Sequence, residues 1–141
     1  SVIDASFNNA LYRILHYREL CNCEHLMEVY TVYICNAFSL QMLGRANSLV
    51  LTKPLTKEKV KELVDQDGVV SAIGHADTAA VVSSDLGFKV PANRVNVKLL
   101  DGEELIVAQF AGGRLPEGAK TLPEGIELSY LLVRVYYPTL R

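Results

Sequence analysis

Apolar residues follow two rhythms along this chain. From Arg94 to Leu99 they alternate: Val95, Val97 and Leu99 share one parity, and Arg94, Asn96 and Lys98 share the other. That period of two predicts a strand with one buried face. Asp101-Gly102 then reads as a hairpin turn, with Leu105–Phe110 returning as the partner strand. Val29–Cys35 is rich in β-branched and tyrosine residues and predicts another strand; Ser48–Thr52 predicts a short one. Ile126–Tyr136 is largely apolar and predicts a strand central in the sheet. The helical rhythm appears twice. Thr56 caps a predicted helix through Asp65, with Val60, Leu63 and Val64 on one face. Val69–Ile73 leads into a second helix that starts near His75, carries Ala76, Ala79, Ala80 and Val82, and stops at Gly87. The expected class is α/β: one domain, a mixed β-sheet and a few flanking helices.

The first residues have a different character. Phe7, Leu11, Ile14 and Leu15 recur at helical spacing, so residues 1–26 read as an appended amphipathic helix or a fusion remnant. Residues 27–141 then form the main domain. The full 141 residues suffice for one domain with a real core, and 50% hydrophobic content fits a globular chain. A net charge of −2 gives no broad basic surface, which argues against long nucleic acid as a partner. A small anion needs only local donors. No apolar run is long enough to span a membrane and no signal peptide is visible, so the expected location is cytoplasmic. The three cysteines, Cys21, Cys23 and Cys35, suggest no disulfide framework. Cys21, Cys23 and His25 could form half a metal site, but the sequence has no matching second half, and no metal is expected.

Two segments carry candidate chemistry. In SAIGHADTAAVV, Ser71 to Val82, His75 follows Gly74 at a helix start. Helix-start amides are unpaired and the helix dipole is positive there, which suits phosphate. An imidazole at that place is either a capping residue or a general acid or base. The second segment is the glycine-rich stretch AGGRLPEGAKTLPEG, residues 111–125, in which LPEG recurs seven residues apart. At fifteen residues it is longer than most connections. It carries Arg114, Glu117 and Lys120. Arg114 either clamps a phosphate through its planar fork or forms a solvated ion pair with Glu117.

Three separated pieces then align with one family. NAFSLQML (Asn36–Leu43) follows the first strand, SAIGHADTAAV sits at the helix start, and RVNVKL, VAQF and GRLPEG run on into the long loop. Over residues 27–136 the chain resembles the ring nucleases that counter or terminate type III CRISPR signalling. These occur as viral anti-CRISPR proteins and as CRISPR-associated host proteins, some of the latter fused behind a CRISPR ribonuclease. The resemblance implies an α/β homodimer, with the ligand site at its interface, that cleaves cyclic tetra-adenylate without a metal or cofactor. It implies that His75 is the catalytic histidine, that Arg114 and Glu117 are a charged pair in the closing loop, and that Ser39 lines the ligand site. It also makes Asn36, Gly74, Thr78 and Gln109 ligand-contacting positions.

The implied chemistry is RNA-type transesterification. A ribose 2′-hydroxyl attacks its own phosphorus and expels the 5′-oxygen. The products are linear di-adenylates with 2′,3′-cyclic phosphate ends. The protein must hold the in-line geometry, balance phosphate charge and protonate the leaving oxygen. His75 is the expected acid. Glu117 orients Arg114, fixes His75, or contacts a ribose hydroxyl or adenine edge. The alternative is a non-catalytic sponge or sensor that binds the same ring.

Overall fold

The computed structural model describes residues 32–138. The helix expected in residues 1–26, the Cys21–Cys23–His25 group and the first part of the strand expected at 29–35 lie outside the described residues.

Five strands form one mixed sheet in the order β2-β5-β4-β1-β3. They are β1 (Val32–Cys35), β2 (Leu49–Leu55), β3 (Val70–Ser71), β4 (Glu104–Ala111) and β5 (Glu127–Tyr136). β1 runs parallel to both β3 and β4, while β5 lies antiparallel between β4 and β2. β5 is therefore interior, as its apolar run requires, although β4 takes the centre. β2 continues beyond the expected Thr52 through Pro54 to Leu55. As an edge strand it can hold a proline, because its outer side needs no donor. Among the described residues the α-helices are α1 (Lys57–Asp67) and α2 (Ala76–Leu86). Thr56 Oγ1 caps α1 by accepting from the Lys59 amide at 3.1 Å. Gly87 ends α2 at φ 80, a left-handed stop that glycine adopts freely.

Strand parity divides the core into two layers. Ile34, Ile106, Ala108 and Leu132 face both helices and pack with Val60, Ala79, Val82 and Leu86. Cys35, Leu105, Val107, Val133 and Val135 face the other way and pack with Val97 and Leu99. A short 3-10 turn, Leu40–Met42, sits over that second layer, with Met42 and Leu43 packed against it.

The Arg94–Leu99 strand and its hairpin are not formed. This stretch has no place in the sheet, and β4 pairs with β1 and β5 instead. The alternation is real but serves packing: Val97 and Leu99 are buried as a cover on the second layer, whereas Val95 is 45% exposed. The Leu99 amide donates to the Met42 carbonyl at 2.8 Å, outside any strand ladder. Asp101-Gly102 still turns the chain, with Gly102 at φ 81, but it delivers it into β4 from this cover.

Two polar clusters tie elements of the fold together. Arg134 is buried and forms an ion pair with Glu104, its register partner on β4. A buried charge needs such a partner, because desolvating it alone is costly. Asp85 of α2 joins Lys57 of α1 at 2.9 Å and accepts from the Tyr130 hydroxyl of β5 at 2.7 Å. Burial first, and Asp85 second, hold the Tyr130 phenol neutral far above the ordinary tyrosine range. These contacts fix both helices on the sheet and so fix where α2 begins.

Candidate active site

The start of α2 is held by its approach. The Ala72 amide donates to the Ile34 carbonyl at 2.8 Å, and the Asn93 amide donates to the Ile73 carbonyl at 2.8 Å. Asn93 Nδ2 also donates to the Ser71 carbonyl at 2.7 Å. A Cβ on Gly74 would stand in ordinary contact with the Arg94 side chain, 3.4 Å away, so a small side chain could be accommodated at this corner. His75 follows with extended backbone and caps α2. Its Nδ1 accepts from the Asp77 amide at 3.2 Å. That contact needs the Nδ1 lone pair, so the neutral ring carries its hydrogen on Nε2. The capping reading of His75 is thus met in the structure, and an exposed ring with one free nitrogen remains.

The long loop between β4 and β5 comes to the same place. Its stems approach closely: Gly112 has φ +97, and a Cβ on it would lie 2.3 Å from the Gly125 carbonyl oxygen. Farther out, the Gly118 amide donates to Asp77 Oδ2 at 2.8 Å. The loop is thereby tied to the first turn of α2.

Between them lies a cleft of about 420 Å³, lined by Asn36, His75, Asp77, Thr78 and Phe110 together with loop residues Arg114 and Glu117. Asn36 follows directly on β1 and Phe110 belongs to β4. Arg114 and Glu117 are exposed and form no ion pair with each other. Both are therefore free to meet a ligand, and the solvated-pair alternative is not what is seen. Chemically, the cleft offers a guanidinium, an imidazole, a hydroxyl, an amide and two carboxylates around an apolar ring.

Asn36, His75, Thr78, Arg114 and Glu117 are thus brought together, whereas Gly74 precedes His75 but does not line the cleft. Ser39 and Gln109 lie elsewhere. Ser39 Oγ accepts from the Gln41 amide at 3.2 Å and lines a second concavity of about 340 Å³ with Gln41, Asn96 and Lys98. Gln109 is exposed on β4, and neighbouring strand residues face opposite sides, so Phe110 enters the cleft and Gln109 does not. Sequence reasoning missed Asp77 and Phe110. The signal for Asp77 was an acidic residue in the first turn of a helix. The signal for Phe110 was its shared parity with Ile106 and Ala108.

Among the described residues no three His, Cys, Asp or Glu side chains are grouped as metal ligands. Cys35, next to Asn36, is buried and its Sγ donates to the Ala37 carbonyl. Burial pushes this thiol up to about 11, which leaves it an inert core group at neutral pH. No helix among the described residues is long and apolar enough to cross a membrane.

The sheet and cleft define a single-domain mixed α/β protein with a polar site where a capped helix meets a glycine-hinged loop. The chain belongs to the STIV B116-like family, whose model matches residues 32–131 and so takes in every residue of the cleft. It is 32% identical over 101 residues to protein 26 of Sulfolobus islandicus filamentous virus (isolate Iceland/Hveragerdi), covering 70% of this chain and 85% of that one. It is 28% identical over 107 residues to the ORF116 protein of Acidianus filamentous virus 1 (isolate United States/Yellowstone), covering 74% and 91%. The solved structure of B116 from Sulfolobus turreted icosahedral virus superposes with a TM-score of 0.61 at 27% identity, covering 73% of this chain and 97% of that one.

Proposed function

We propose that this chain is a metal-independent ring nuclease. It cleaves cyclic tetra-adenylate to linear di-adenylate with 2′,3′-cyclic phosphate ends and so switches off the ancillary effectors of type III CRISPR defence. One observation carries the proposal: His75 and the Arg114–Glu117 segment line a single cleft at a helix start. In this scheme Arg114 balances phosphate charge, and the ligand's own 2′-hydroxyl supplies the nucleophile. His75, in its doubly protonated form, gives a proton to the departing 5′-oxygen, and the proton of the attacking 2′-hydroxyl passes to solvent water. Thr78 and Asn36 hold the nucleotide, and Phe110 offers a face on which a base can stack.

The cleft lies near the lower end of the range for small-ligand sites, roughly 300–1,000 Å³. A ring of four nucleotides extends beyond it. A cyclic tetramer contains a two-fold axis, and so does an isologous homodimer. Two copies of the chain around one ring therefore give two clefts on opposite phosphates. The site of action is the cytoplasm of a prokaryote or of a virus-infected prokaryotic cell, either alone or alongside a CRISPR ribonuclease effector.

One observation favours a second function, that of a sponge. His75 Nδ1 is engaged in capping α2, so this residue has a structural use whether or not it transfers a proton. A sponge would bind cyclic tetra-adenylate and release it unchanged.

Arg114→Ala separates both from a bystander loop. Losing one charge-assisted phosphate contact is expected to weaken cyclic tetra-adenylate binding by about tenfold or more, read by titration calorimetry. Turnover at limiting ligand should fall at least as far. Unchanged affinity and rate would remove the loop from the site.

A further inference from the structure

We infer that Asp77 is a positioning residue that sets the Arg114–Glu117 segment relative to His75; this rests on the ring-nuclease proposal above. Asp77 makes two contacts in opposite directions. Its backbone amide donates to His75 Nδ1 at 3.2 Å, and its Oδ2 accepts from the Gly118 amide at 2.8 Å. One residue therefore fixes the imidazole through its main chain and the loop through its side chain. Gly118 immediately follows Glu117 and lies four residues beyond Arg114. Outside this contact the loop has a glycine stem at each end, Gly112 and Gly125, both at positive φ. Between the stems, the hydrogen bond to Asp77 is the tie that joins the loop to α2.

The charge of Asp77 works against its position. A carboxylate in a cleft for a polyanion repels the ligand. A half-buried aspartate kept there for helix stability alone would gain only a weak interaction with the dipole. A carboxylate aimed at a loop amide explains the placement: it holds the loop in register. Asp77 touches no reacting atom in this scheme. It acts through His75 and the loop.

Two substitutions separate the bond from the charge. Asp77→Ala loses the acceptor but keeps the backbone amide that holds His75. Asp77→Asn loses the charge and keeps an acceptor for Gly118. The first readout needs no ligand: trypsin cleavage after Arg114 and Lys120 in the native protein. Loop opening governs that rate, and loss of one hydrogen bond is expected to raise it about tenfold in Asp77→Ala. Asp77→Asn should cleave at nearly the wild-type rate. The second readout is steady-state cleavage of cyclic tetra-adenylate. Asp77→Ala should raise KM and lower kcat, because a smaller share of loops is in the competent position. Asp77→Asn should restore kcat and show an equal or lower KM.

Equal trypsin rates in Asp77→Ala and wild type would overturn the inference. So would Asp77→Asn matching Asp77→Ala, since charge and not the bond would then be responsible. Faster loop cleavage with unchanged KM and kcat would overturn the positioning role. If wild-type protein does not turn over the ring at all, the ring-nuclease proposal fails, while the trypsin comparison still decides whether Asp77 holds the loop.

Discussion

His75→Asn is expected to fold as the wild type does and to lose most turnover. Asparagine is among the best helix caps, and its side-chain oxygen can accept from the Asp77 amide in place of Nδ1. What it cannot do is transfer a proton near neutral pH. General acid–base help is worth roughly two to four orders of magnitude, so the turnover rate should fall by that factor. Binding of cyclic tetra-adenylate should change only a few-fold. His75→Ala is the companion. It loses both functions, and the missing cap should cost about 0.5–1 kcal/mol of stability in addition. Comparing the two by denaturant titration and by rate separates the cap from the chemistry. If His75→Asn cleaves at the wild-type rate, His75 is only a cap and the proton comes from elsewhere.

Gly112→Ala should have a large structural effect. The added Cβ would lie 2.3 Å from the Gly125 carbonyl oxygen, and both are backbone positions that cannot swing aside. The residue also sits at φ +97, where an L side chain is strained. The conformational part alone is worth about 1–2 kcal/mol, and relief of the contact must spread the loop stems. Gly118→Ala is the control. It has a similar positive φ, +81, but open space around it. Gly118→Ala should therefore lose about 1 kcal/mol, and Gly112→Ala clearly more, read as unfolding midpoints. Turnover should also fall further in Gly112→Ala, because its strain moves the base of the loop that carries Arg114. Equal losses in the two variants would show that the close stem is not important.

The legible part of this fold was whatever rests on local chemistry. Thr56, Gly87 and the Asp101-Gly102 turn stand where caps and turn residues should, since each acts on backbone groups within a few residues. The buried strand β5 was legible from its largely apolar run. Arg94–Leu99 was not. Alternation reports a half-buried extended segment, and such a segment can be a strand or a cover lying over a sheet. The difference is made by distant partners: β4 takes β1 and β5 as neighbours, which leaves no edge for it. The candidate site followed the same rule. His75 and Arg114 stood out by residue type in distinctive surroundings. Asp77 did not, because its importance lies in a contact with Gly118 across 41 positions of sequence. Ser39 lines a different concavity from His75, which spacing within a single motif could not reveal.

The most direct test of the ring-nuclease proposal is to incubate the purified chain with cyclic tetra-adenylate in EDTA and identify the products by mass spectrometry. Conversion to linear di-adenylate with 2′,3′-cyclic phosphate ends is the expected result. Ligand recovered intact, or cleavage that appears only when a divalent metal is returned, would contradict it.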